Sequence, residues 1–272
     1  MKPLSKLILV LGMHRSGTST VTRALPVLGV DIGSHHLARA DNPRGFFEEP
    51  QFVAINERLL QALGADWKSF KALPLSCFSR LLAEETGRLA REFLLTFCAS
   101  SLPRGLKDPR ASRLLPFWLP LCSALNIALS VVVVLRNPVN VARSLAKRDA
   151  LASSWAFALW TRYICEALLY SRTVPRLLVS YELLMQRPRC ELMRMARFLG
   201  QPFQETAYQV FAEDFLDQTL CHHRETETGS HPCQLLYARL LPLTEGFGSH
   251  ELESPRLERL LLSALAGLTV LT

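Results

Sequence analysis

Gly12-Met13-His14-Arg15-Ser16-Gly17-Thr18-Ser19 follows directly on the apolar run Leu7 to Leu11. Strand, glycine loop and helix start are in the right order, and the spacing G-x-x-x-x-G-x-[ST] is that of a phosphate-binding loop. Thr18 stands where a nucleotide triphosphatase carries lysine. The loop keeps what an anion needs: backbone N–H groups, the hydroxyls of Ser16, Thr18 and Ser19, and the positive end of the following helix. It lacks the lysine that would reach a γ-phosphate, and the nearest cation is Arg15 inside the loop. These residues suit a nucleotide whose 5′ group is charged but is not a triphosphate.

A second candidate lies at the end of Val131-Val132-Val133-Val134-Leu135. In a phosphate-loop triphosphatase such a strand ends in an aspartate that holds magnesium; here it ends in Arg136-Asn137-Pro138, with Arg143 and Ser144 roughly two helical turns on. Arg136 and Ser144 could grip a second phosphate, with no metal between the two sites. A 3′-phosphoadenosine nucleotide fits that description. Strand tips of an open parallel sheet are where ligands bind, which favours this reading over a surface arginine that merely ends a strand.

Two further groups could act on a hydroxyl. Glu48 follows Phe46-Phe47, a setting that would suit it as a general base, whereas Glu49 reads as an ordinary acid at a helix start beside Pro50. Lys107-Asp108-Pro109-Arg110 lies at another expected strand end. Lys107 could neutralise charge on a leaving oxygen, while Asp108 and Arg110 read equally well as an internal ion pair that fixes the loop. His35-His36, and Cys221-His222-His223 with His231 and Cys233, match no zinc spacing and read as loop residues.

The elements that must position these residues alternate. Strands are expected at Leu7–Leu11, Arg104–Lys107, Ala128–Leu135 and Leu177–Ser180. Helices are expected at 17–28, from Pro50 to Gly64, at 78–100, at 112–125 with Pro116 and Pro120 inside, from Pro138, at 153–172, at 188–200 and at 255–268. The alternation predicts an α/β fold, three layers with a central parallel sheet. Beyond residue 200 the signal weakens, and His222 to Pro232 reads as an exposed loop. No repeat or linker interrupts the 272 residues, so a single domain over 1–272 is expected, mostly helix and loop from about 201.

The chain is 49% hydrophobic with a formal net charge of +7, which favours anionic ligands without choosing among nucleotides, glycans, nucleic acid and membrane. No interleaved aromatic and basic stripe supports nucleic acid. Seven scattered cysteines, with no C-x-x-C pair, suit reduced buried thiols in a cytoplasmic protein. No apolar run approaches the roughly 20 residues of a spanning helix.

Taken together, these motifs resemble the PAPS-dependent sulfotransferases, of the bacterial kind found with polysaccharide genes. The resemblance covers about residues 6 to 200. It rests on the Gly12–Ser19 loop, on Leu135-Arg136-Asn137-Pro138 through Arg143-Ser144, on Asn42-Pro43-Arg44-Gly45-Phe46-Phe47-Glu48, on Lys107-Asp108-Pro109-Arg110 and on Val179-Ser180-Tyr181-Glu182. It implies a P-loop-NTPase-like sulfotransferase fold, PAPS as sulfuryl donor, PAP as product, no metal, and an acceptor hydroxyl on a glycan. By the same resemblance Arg15, Ser16, Gly17, Thr18 and Ser19 hold the phosphosulfate, and Arg136 and Ser144 hold the 3′-phosphate. Tyrosylprotein sulfotransferases share a similar loop arginine and Lys-Asp-Pro, which points to Arg15 and Lys107 as transition-state stabilisers. Glu48 is the candidate base, and Arg224 in the late histidine-rich loop would close over the donor. A nucleotide or sugar kinase is the alternative, but it calls for lysine at 18 and an acid at 136. A non-catalytic nucleotide-binding module is the second alternative.

Overall fold

The computed structural model describes residues 5–33, 47–215, 231–245 and 252–268. All four expected strands form: β1 (Ser5–Gly12), β2 (Arg104–Lys107), β3 (Ile127–Leu135) and β4 (Arg176–Ser180). They pair in parallel in the order β2-β1-β3-β4, with β1 and β3 in register from Ser5 opposite Ile127 to Gly12 opposite Val134. Leu7, Leu9, Leu11, Val131, Val133 and Leu135 enter the core on one face. Ile8, Val10, Val132, Val134, Leu177 and Val179 enter the core on the other. Alternate side chains of a strand point to opposite faces, so a sheet covered on both sides needs the unbroken Val-Val-Val-Val-Leu run that β3 carries.

The helices in chain order are α1 (Thr18–Ala24), α2 (Pro50–Ala62), α3 (Phe78–Ala83), α4 (Glu85–Phe97), α5 (Ala111–Ala124) and α6 (Pro138–Asp149). They continue with α7 (Ser153–Tyr170), α8 (Tyr181–Gln186), α9 (Pro188–Leu199), α10 (Glu205–Phe215), α11 (Pro232–Leu240) and α12 (Pro255–Leu268). Helices α5 and α7 pack on β1 and β3 over the leucine face, with α2 and α4 outside α5. Helices α1 and α9, with Phe211 of α10, cover the valine face. The arrangement is a three-layer α/β sandwich, as expected.

Capping residues tie the strand tips together. Asn137 accepts from the Val139 N–H at the start of α6, and Ser180 accepts from the Leu183 N–H at the start of α8. Glu182 Oε1 accepts from the Asn137 N–H at 2.9 Å, which links the ends of β3 and β4. From β1 the chain runs to β2 on one side and returns to β3 on the other. The crevice between the tips of β1 and β3 is therefore the switch point of the sheet.

Two expectations need correction. The helix expected at 78–100 is two helices, because Glu84 is extended (φ −87°, ψ −178°) and turns the chain between α3 and α4. The corner requires Gly87: a Cβ there would lie 2.0 Å from the Leu82 carbonyl oxygen. Helix α8 was not expected, since six residues between a strand and Pro188 show no periodicity. Beyond residue 200, α10 and α11 both form. His231 Nδ1 accepts from the Cys233 N–H and caps α11. His35, His36, Cys221, His222 and His223 lie outside the described residues.

Gly87→Ala should destabilise the protein by about 2 kcal/mol, read as a lower urea midpoint. An unchanged midpoint would show that the α3–α4 corner tolerates a side chain.

Candidate active site

The loop after β1 begins where the backbone leaves no room for a side chain. A Cβ at Gly12 would stand 2.8 Å from the Val134 carbonyl oxygen, and the Gly12 N–H donates to Ser112 Oγ at 3.0 Å. The chain is thus pinned between β3 and the start of α5. The Ser16 N–H then turns back to the Met13 carbonyl at 3.1 Å. Arg15 (φ 68°) and Gly17 (φ 86°) are both left-handed, on either side of Ser16. A left-handed arginine costs roughly 1–2 kcal/mol, so something must hold it. Its carbonyl accepts from Arg136 Nη1 at 2.8 Å, and its Nε donates to Ser144 Oγ at 2.8 Å.

Those two bonds bring Arg15, Arg136 and Ser144 into one cluster. The two anion sites read from the sequence therefore share a wall. Tyr181, at the tip of β4, forms the floor: its ring would lie 2.1 Å from a Cβ at Gly17, and the Arg136 guanidinium sits over it at 4.4 Å. Tyr181 was marked by its place immediately after a strand tip, within Val179-Ser180-Tyr181-Glu182, and carries no acid–base signature. Ser16 Oγ and Arg136 Nε are buried with no hydrogen-bond partner. Buried polar atoms are rarely left so, and here both lie in the loops that follow β1 and β3. Such atoms fit a phosphate-bearing ligand that would satisfy them. Thr18 is buried under the loop, and its carbonyl accepts from Thr22 Oγ1 inside α1.

On the other side of the loop, Lys107 ends β2. Its Nζ donates to Glu48 Oε1 at 2.7 Å and to Ser19 Oγ at 3.3 Å. Both candidate catalytic groups outside the loop thus meet each other, and Lys107 touches the loop's helix. The apolar setting expected for Glu48 is not what is found: its neighbours are cations, Lys107 and, at 3.9 Å, Arg110. Asp108 and Arg110 form the internal pair, with Arg110 Nε on Asp108 Oδ2 at 3.0 Å. A chain of hydrogen bonds supports that pair from α2 and α5. Asn56 Nδ2 donates to Asp108 Oδ2 at 2.8 Å, and Trp118 Nε1 donates to Asn56 Oδ1 at 2.8 Å. Burial pushes the Asp108 carboxyl up, against the pull of Arg110.

His14 was passed over in the sequence because nothing in its spacing singles it out. Its ring packs on Trp67, centroids 4.6 Å apart, and its Nε2 is buried without a partner. Burial, and then the charges of Arg110, Arg148, Lys107 and Arg15, hold the imidazole well below the usual histidine range, so it stands neutral among cations. Arg224 lies outside the described residues. Among the described residues no group of histidine, cysteine and acidic side chains is arranged to hold a metal.

The sulfotransferase domain family model matches residues 5–234. Two solved structures share the fold. The sulfotransferase domain of the Synechococcus PCC 7002 olefin synthase superposes with a TM-score of 0.54 at 17% identity, over 89% of this chain and 96% of that one. The sulfotransferase domain from the curacin biosynthetic pathway also gives 0.54 at 17% identity, over 88% of this chain and 98% of that one. No curated protein matches the chain. The glycine loop, the arginine in place of a magnesium-binding acid and the parallel sheet that carries both accord with that match over most of the chain, which belongs to the sulfotransferase domain family.

Proposed function

We propose that the protein transfers a sulfuryl group from PAPS to an acceptor hydroxyl on a carbohydrate, without a metal ion. The observation that carries this reading is the cluster at the β1–β3 switch point. Arg15, Arg136 and Ser144 meet there beside the partnerless Ser16 Oγ. A left-handed loop of N–H groups and hydroxyls suits the phosphosulfate. Arg136 and Ser144 suit the 3′-phosphate, and Tyr181 braces the guanidinium from below. PAPS supplies a sulfuryl group on a phosphate leaving group.

The residues then have distinct tasks. Glu48 accepts the proton of the attacking hydroxyl as the new oxygen–sulfur bond forms. Lys107 faces the bridging oxygen, to which the electron pair of the broken sulfur–oxygen bond goes. Before reaction their 2.7 Å ion pair keeps both charges compensated in a site where neither is exposed. Arg15 adds positive charge on the loop side, where oxygens gain charge in transit. The runner-up, a kinase, calls for lysine at 18 and an acid at 136, where this chain carries threonine and arginine.

The deciding experiment is calorimetric titration with PAP and, separately, with ATP plus magnesium. Tight PAP binding that survives a chelator supports the donor assignment; preference for ATP with magnesium overturns it. Arg136→Ala should weaken PAP roughly 10- to 100-fold and erase the preference for PAP over the nucleotide lacking the 3′-phosphate. Gly17→Ala should abolish PAP binding, because the added methyl displaces Tyr181; retained affinity would refute the packing argument. Lys107→Ala should lower kcat about 100-fold or more while PAP affinity changes little. A loss confined to donor affinity would remove Lys107 from the transition state.

A further inference from the structure

His14 stands in the donor loop immediately before the left-handed Arg15, and two rings clamp its imidazole. Trp67 lies against it with centroids 4.6 Å apart, and Tyr163 of α7 meets it edge-on at 6.0 Å. The two rings are tied together, because Tyr163 Oη donates to the Trp67 carbonyl at 2.8 Å. Trp67 opens a strap, residues 67–71, that lies between α2 and α3 and is held at every carbonyl. Trp155 Nε1 donates to Lys68 O at 2.8 Å, and Arg162 Nε donates to Phe70 O at 2.7 Å. Arg113 donates to both Ser69 O and Lys71 O. Glu166 compensates the two buried arginines, at 2.9 Å from Arg113 Nε and 3.3 Å from Arg162 Nη1. A buried ion triad adds little net stability compared with an apolar core. Its effect here is to fix the strap, and with it the ring that orients His14. Support of this kind is what a functional side chain needs.

The side chain held this firmly ends in an atom with nothing to bond. His14 Nε2 is buried without a partner among the described residues. Leaving such an atom unsatisfied costs about 1–3 kcal/mol, so the site is built for a ligand atom there. The surroundings say which kind. Burial, and then the charges of Arg110 before α5, Arg148 on α6, Lys107 at the end of β2 and Arg15 in the loop, hold the imidazole well below the usual histidine range, so the ring is neutral. The carboxylates paired with these cations are Asp108, Asp149 and Glu48. The Arg148 guanidinium also stands over the Trp67 ring at 5.3 Å. A ligand atom drawn into this ring of cations is an anionic oxygen, which only accepts hydrogen bonds, and Nε2 then meets it as the N–H of a neutral imidazole. A neutral imidazole beside a helix N-terminus is an effective donor to such an oxygen.

The side of the loop decides which oxygen. His14 faces Lys107 and Arg110, whereas the Arg136 guanidinium bonds the Arg15 carbonyl and lies over Tyr181. We propose that His14 donates its Nε2–H to an oxygen of the sulfuryl group being transferred, and is a further catalytic residue of this site. The assignment rests on the sulfotransferase reading above. It gives the sulfuryl group, whose three oxygens share a single negative charge, a directed contact that adds no further positive charge.

The test is calorimetric titration of the full chain with PAPS and with PAP, which differ by the sulfuryl group alone. His14→Phe keeps an aromatic ring between Trp67 and Tyr163 and removes the N–H. It should bind PAPS about 10-fold more weakly than the wild type does, and PAP within about twofold. His14→Gln, whose amide can place an N–H near the Nε2 position, should hold PAPS within about threefold of wild type. Equal losses for the two ligands in His14→Phe, or no loss, overturn the proposal. So does a His14→Gln variant as weak for PAPS as His14→Phe. Where His14→Phe fails to fold, nitrogen NMR of the wild-type histidines decides. The His14 signals, identified by their loss in His14→Gln, should report a neutral ring between about pH 5 and 8 and move further with PAPS than with PAP. Equal movement, or a ring that charges in that range, overturns the contact. A wild type that fails to bind PAP overturns the donor reading and this assignment with it.

Discussion

The tips of β1 and β3 lie so close that residue 12 has no room for a side chain. This contact, between the Gly12 backbone and the Val134 carbonyl, decides where the following loop goes. The chain cannot spread sideways, so it turns back over the strand ends through two left-handed residues. The second of them, Gly17, lies on the Tyr181 ring and could not carry a Cβ there. The groups around it come from strand ends: Arg136 follows β3, Lys107 ends β2 and Tyr181 follows β4. Parallel pairing puts these ends on one side of the sheet.

Charge in the site is organised as pairs around gaps. Lys107 is matched by Glu48, Arg110 by Asp108 and Glu57, and Arg15 by the hydroxyl of Ser144. Like charges at such spacing would repel strongly in a partly dry environment. The acids keep the cations close enough to act together while the compensating partners stay small. Neutral His14 extends the same economy of charge: four cations around it leave no room for a fifth.

Much of this was legible in the residues. Apolar runs of the right length gave the strands, and the Gly-Met-His-Arg-Ser-Gly spacing, Arg136 and Lys107 marked the strand tips, because a strand ending in a charged residue is a local pattern. What failed was tertiary in origin. The break at Glu84 depends on how Gly87 meets Leu82, and helix periodicity runs straight through it. The cationic setting of Glu48 comes from β2, far along the chain, where no local pattern around residue 48 shows it. Asn56, Ser112 and the Arg113–Glu166–Arg162 triad carry no motif. Their roles exist only once α2, α5 and α7 are packed against the sheet.

The strap of residues 67–71 is held through its main chain. Tyr163, Trp155, Arg113 and Arg162 all bond to carbonyl oxygens, which every amino acid possesses. Outward-facing positions such as Lys68 and Lys71 can therefore change identity without loosening the framework beneath them. Architecture and surface chemistry are decoupled at this point of the molecule: exposed side chains can be exchanged one at a time while the backbone that carries them keeps its shape.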